Sequence, residues 1–198
     1  MHGLINRAIE MFVRHTYGSK DWVALTKKLD LGFTEFEAML TYEDWVTDHV
    51  LVELAERLGK CRTDILEDIG TFLVSHPSAE ALRRLLRFSG SDFVEFLQSL
   101  NDLPARARLA LDDLKLPEID LREHNLGHFS VVVRDATGGP VEFGYVLIGL
   151  LRALADDYGA LVLLDHKGGR GGTEIISVQI LQKAFSKGRA FELGAVAS

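Results

Sequence analysis

Apolar residues recur at spacings of three and four over most of the first two-thirds of the chain, the period of amphipathic helices, and at spacings of two around residues 119–133, the period of strands. Leu4, Ile5, Ala8, Ile9, Phe12 and Val13 form one helical stripe, which Tyr17 and Gly18 close. Ser19 or Asp21 starts a second helix through Trp22, Val23, Leu25 and Leu29, and Gly32 breaks its period. Trp45, Val46, Val50, Leu51, Leu54 and Leu58 mark a third over residues 42–58, stopped by Gly59. Thr63 and Asp64 head a fourth, carrying Ile65, Leu66, Ile69, Phe72 and Leu73, which must end at Pro77. Ser78 opens a short fifth helix with Leu82 and Leu86, ended by Gly90.

The segment SDFVEFLQSLNDLPARARLALDDL places Phe93, Phe96, Leu97, Leu100, Leu103, Pro104, Ala107 and Leu111 on one stripe. Pro104 offers no N–H to the Leu100 carbonyl and collides with the preceding turn, a conflict worth about 3 kcal/mol in an unrelieved helix interior. The spacing therefore predicts a kink or a break near Leu103 and Pro104. Beyond Pro117 the period becomes two: Ile119 and Leu121, then Phe129, Val131 and Val133, with a turn at residues 125–127, read as a hairpin. A bend at residues 138–140 leads into the most regular helix, with Phe143, Val146, Leu147, Leu150, Leu151 and Leu154 in unbroken helical register. LVLLDH, a GGRGG loop and TEIISVQILQ complete a second hairpin, so helices followed by strands give an α+β domain.

Composition narrows the function. The 47% hydrophobic and 26% charged residues are those of an ordinary globular chain, and 198 residues suffice for one well-cored domain. Twenty-nine acidic against 22 basic residues give a net charge of −7, which disfavours nucleic acid as a partner. No apolar run has the length of a membrane span, and the charged, helical start is not a signal peptide. Cys61 is the only cysteine, which excludes an internal disulfide and suits a reducing, cytoplasmic setting. No internal repeat or linker divides the chain.

Candidate chemistry is sparse. Gly168 to Gly172 resembles a phosphate cradle but precedes a strand rather than a helix, so no helix N-terminus backs it, and it reads as a turn. Asp112 with Asp113 and Asp156 with Asp157 lie at helix ends and read as solvated charge. No nucleophile motif, catalytic triad or HExxH is present, so the chain is not read as an enzyme. The seven histidines form no metal-ligand spacing. His76, at a helix end beside Pro77, reads as a capping or half-buried structural residue, with cofactor ligation as the alternative.

Over residues 1 to about 182, the opening MHGLINRAIEMFV with Tyr17, Gly18 and Trp22, followed by LRRLLRFSGSDFVEFLQSLNDL, resembles the heme-nitric oxide/oxygen binding (H-NOX) family, the sensory domain shared with soluble guanylate cyclase. The resemblance implies an H-NOX-like α+β fold of about seven helices with a C-terminal four-stranded antiparallel sheet, residues 183–198 being a weakly ordered tail. It also implies a stand-alone signal-transduction domain for nitric oxide sensing, acting in trans on a partner that in bacterial relatives is a histidine kinase or a cyclic-di-GMP enzyme.

Heme is the family's cofactor, held through a histidine on the long helix and through a Tyr-x-Ser-x-Arg strand motif that clamps the propionates. In this sequence Pro104 occupies the position of that histidine, and residues 129–137 keep Arg134 but contain no tyrosine. The usual heme site is thus expected to be degenerate, because proline supplies no lone pair to iron. The apolar positions that would line the pocket remain: Leu4, Ile5, Ile9, Phe72, Leu97, Leu100, Val146 and Leu150. They are read as core packing or as the lining for another small apolar ligand. His76 falls on the opposite side of the implied pocket and is the candidate for a non-standard iron ligand. Two readings follow: a domain signalling through another ligand or partner contact, or a heme-based gas sensor with iron on His76.

Overall fold

Caps and breakers set the helix ends. The structure, a computed structural model, describes residues 1–87 and 90–189. The His2 imidazole accepts the Leu4 N–H at the head of α1 (Gly3–Thr16), and α2 (Ser19–Lys28) follows the Gly18 break. Helix α3 (Asp44–Leu58) stops at Gly59, whose φ of 60° is the left-handed end conformation. Helix α4 (Arg62–Ser75) starts earlier than its sequence signal, with Cys61 rather than Thr63 at the N-cap. His76 ends it and caps a short 3-10 turn at Pro77–Ala79, so α5 (Glu80–Arg87) begins at Glu80 rather than beside Ser78.

The long stripe predicted over residues 91–111 is interrupted where proline demands it. Helix α6 (Phe93–Ser99) is capped by Asp92, which accepts the Glu95 N–H at 2.9 Å, while the Glu95 carboxylate accepts from Ser91 in return. A 3-10 turn at Leu100–Asp102 follows, and α7 (Leu103–Ala110) restarts with Pro104 in its first turn, where a missing N–H is harmless. The expected break is therefore observed, and it divides one of the seven predicted helices in two.

Strands β1 (Glu118–Asn125) and β2 (His128–Arg134) precede α8 (Phe143–Tyr158), and β3 (Leu161–Arg170) and β4 (Thr173–Gln182) follow it. The antiparallel sheet has the order β1-β2-β4-β3, the two hairpins being joined by the β2–β4 pairing. The glycine loop is shorter than the sequence suggests, because β3 runs on to Arg170 through an irregularity between His166 and Gly169. Strand β1 is an edge strand against which the 3-10 turn lies, with the Asn101 side chain accepting the Leu121 N–H at 2.7 Å. Strand β3 forms the other edge.

Two hydrophobic cores result. One joins α6, the inner face of the sheet and α8 through Phe96, Leu97, Leu100, Phe129, Val131 and Leu151. The other joins α1 to α4 through Phe12, Trp22, Leu25, Leu51, Leu54 and Ile65. Helices α4 and α8 contribute to both, and the half-buried Phe143 packs against both. Their contact is at backbone distance: a Cβ on Gly70 would lie 1.9 Å from the Val146 carbonyl oxygen, and one on Gly149 would lie 1.9 Å from that of Glu67. No described helix is long and apolar enough to cross a membrane.

Residues 183–189 lie against the end of α8. The Phe185 and Ser186 amides donate to the Gly159 carbonyl, and the Arg189 amide to that of Asp157. Residues 190–198 lie outside the described residues.

Candidate functional site

The candidate lining residues are divided between the two cores that meet at the contact of α4 with α8. Ile5, Ile9, Phe72 and Val146 pack in the core of the N-terminal helices, whereas Leu97, Leu100 and Leu150 belong to the core beneath the sheet. Leu97 and Leu100 are essentially without exposure, and Pro104 is buried at the start of α7. Leu4 is partly exposed at 38%. A cavity of about 120 Å³ lies elsewhere, between α1, α2 and α3, lined by Val13, Tyr17, Leu25, Leu54 and Leu58 beneath the Asp21–Arg57 ion pair. It borders none of the expected pocket positions.

Strand parity decides where Arg134 lies. Phe129, Val131 and Val133 are buried in the core beneath the sheet, so Ser130, Val132 and Arg134 occupy the opposite face. On that face Arg134 contacts Asp120 of β1 at 3.4 Å, and Ser130 is hydrogen bonded to His124 at 2.6 Å. Arg122 beside Asp120, with Arg134 in support, holds its carboxyl below the usual carboxylate range. Because the folded pKa is lowered, this ion pairing is complete above the ordinary carboxylate pKa and is lost as pH falls through the folded value. An NMR titration should show Asp120 protonating at lower pH than in Arg122→Ala; coincident curves would contradict this assignment.

His76 is held at the surface by local structure. Its Nδ1 is 2.7 Å from Ser78 Oγ and accepts the Ser78 N–H at 3.2 Å. The ring stacks on Phe72, with centroids 4.6 Å apart and planes at 24°, and lies 4.6 Å from the ring of His15 on α1. Among the described residues no group of three or more His, Cys, Asp or Glu side chains could hold a metal ion.

The heme implied by the resemblance does not fit the residues present by the family's route. The position of its iron ligand is a buried proline, and the arginine expected to meet its propionates is turned to the sheet face away from the core and engaged by Asp120. No step is therefore derived through heme.

Polar groups outside the expected site organise the scaffold. Asp157, expected as solvated charge, is buried at 4% exposure and receives Arg83 Nε from α5 at 2.6 Å. Glu10 is buried on α1, where Arg14 donates to it at 2.7 Å and the Phe36 amide at 2.9 Å. Glu174 of β4 accepts the Gly144 N–H at the head of α8 and also bonds His166, on whose ring Tyr145 stacks at 4.1 Å. A Glu four residues before an Arg is a helix-pair signal for Glu10 and Arg14. The other two arrangements join distant segments and carry no local signal.

Comparison with known proteins agrees with this architecture. The sequence model of one family, Haem-NO-binding, matches residues 2–162. Soluble guanylate cyclase 89Db of Drosophila melanogaster is 20% identical over 158 residues, and soluble guanylate cyclase 89Da of the same organism 21% identical over 162. The match takes in 80% of this chain but only 23% of either cyclase, so the chain spans about a quarter of the length of these relatives. Among solved structures, an H-NOX protein from S. oneidensis in its Fe(II)NO state superposes with a TM-score of 0.76 at 16% identity, covering 92% of this chain and 100% of that one. At that identity the superposition establishes the fold.

Proposed function

The chain belongs to the haem-NO-binding family, whose domains are sensors rather than catalysts, and from that premise we propose that it signals without heme in the usual site. The observation that carries this reading is Pro104, buried where the family places its iron ligand. A tertiary amide nitrogen has no lone pair to give, and the 3-10 turn before it interrupts the helix that would carry the ligand. The signal then arises from another small ligand or from partner contact, and reaches a separate effector in trans. A histidine kinase or a cyclic-di-GMP enzyme is the effector class that the family resemblance suggests.

Absorption spectroscopy of the freshly isolated protein tests the reading. We expect no Soret band on isolation, and added hemin should keep the spectrum of the free compound. Stoichiometric heme in protein from its native host would overturn the proposal. A defined Soret band that His76→Ala abolishes would instead establish the gas-sensor alternative, with iron on His76.

A further inference from the structure

We propose that His15 and His76 together form a site for a late first-row divalent cation, of the Cu2+, Ni2+ and Zn2+ class, on the surface where α1 and α4 end. The two side chains come from elements far apart in sequence, yet their ring centroids lie 4.6 Å apart with planes tilted by 46°. A metal–imidazole bond of about 2.0–2.1 Å places each ring centre about 3.2 Å from the ion, so two rings bound at 90–110° stand about 4.5–5.2 Å apart. The observed separation falls within that span.

The surroundings suit a cation. His15 lies in the last turn of α1 and His76 is the C-cap of α4, so two helix C-termini, each carrying partial negative charge, meet at the pair. Arg14, the charged neighbour of His15, is directed to Glu10 and to the Thr34 carbonyl. Cation binding takes the Nδ1–H tautomer of His76: Nδ1 then donates to the Ser78 hydroxyl 2.7 Å away, the 3.2 Å bond from the Ser78 N–H is given up, and Nε2 carries the lone pair that coordinates. Phe72, stacked on His76 and 6.1 Å from the His15 ring centre, backs the pair with an apolar surface. Neutral imidazoles suit copper, nickel and zinc, and Cu2+ binds tightest in that series. With two protein ligands the remaining coordination positions belong to water. The site shares His76 with the gas-sensor alternative and Phe72 with the expected pocket lining, but it rests on the juxtaposition of His15 with His76 and not on the heme-free reading.

Copper alone, added to the full chain in the presence of glycine as a weak competitor, is the probe. Electron paramagnetic resonance should show one Cu2+ per chain bound by two imidazole nitrogens. His15→Phe and His76→Phe, which keep an aromatic ring against Phe72, should each weaken binding at least about tenfold, while His124→Phe should leave it unchanged. Amide NMR of the unmodified protein gives a readout independent of any variant: paramagnetic broadening should centre on residues 14–18 and 74–78. Unchanged copper affinity in both Phe variants, a spectrum with one imidazole nitrogen, or broadening centred on the amino terminus or the sheet would overturn the proposal.

Discussion

Gly70→Ala is expected to lower the stability of the fold by about 2–3 kcal/mol, although alanine is the better helix former by about 1 kcal/mol. The added Cβ would stand 1.9 Å from the Val146 carbonyl oxygen and 2.9 Å from the Leu150 nitrogen. Both are backbone atoms of α8, which no rotamer change can move aside, so the two helices must separate. Gly149 faces the Glu67 carbonyl in the same way from the other side, and Gly149→Ala is expected to act alike. Because α4 and α8 supply side chains to both cores, their separation loosens packing on each side of the contact. Urea denaturation of Gly70→Ala measures the effect, and a loss below about 1 kcal/mol would show that the helices accommodate a methyl group after all.

Asp157→Ala is expected to cost about 3 kcal/mol, at the lower end for breaking a buried ion pair because the Arg83 side chain keeps 20% of its exposure. Removal of the carboxylate leaves the Arg83 guanidinium without its 2.6 Å partner and releases Arg189, whose Nε stands 3.8 Å from the same group. The substitution should also have a local signature. The amides of Phe185, Ser186 and Arg189, which donate to carbonyls at the end of α8, should exchange faster with solvent than in the parent. By contrast, Arg84→Ala removes an exposed pair with Glu80 and should change stability by less than about 1 kcal/mol. Equal effects of the two substitutions would refute the distinction between buried and exposed pairing here.

The helices and strands were legible because each depends on spacing within a few residues. The break at Pro104 followed from one missing N–H, and the inward face of β2 from the alternation of Phe129, Val131 and Val133. That same alternation places Arg134 on the other face of the strand, beside Asp120, an inference about its orientation available from the sequence alone. Other features lay beyond local pattern. Asp157 follows another aspartate at a helix end, which suggests solvent; its burial depends on Arg83, 74 residues earlier. The apolar positions that would line a heme pocket have a helical spacing that does not encode their division between the two cores, which comes from the packing of α4 on α8. The neighbourhood of His15 and His76 likewise arises from the side-by-side arrangement of α1 and α4, which no spacing encodes.

The irregularity of β3 between His166 and Gly169 bears on solubility. A straight, unpaired outer strand carrying the exposed Leu161 and Leu163 would template the addition of further chains. Here the bulge distorts the second half of that strand, and the exposed ion pair of Lys167 with Asp165 sets charge beside it. Together with the register shift between Leu161 and Val162, the bulge leaves the outer edge of β3 without one continuous regular register for a further strand.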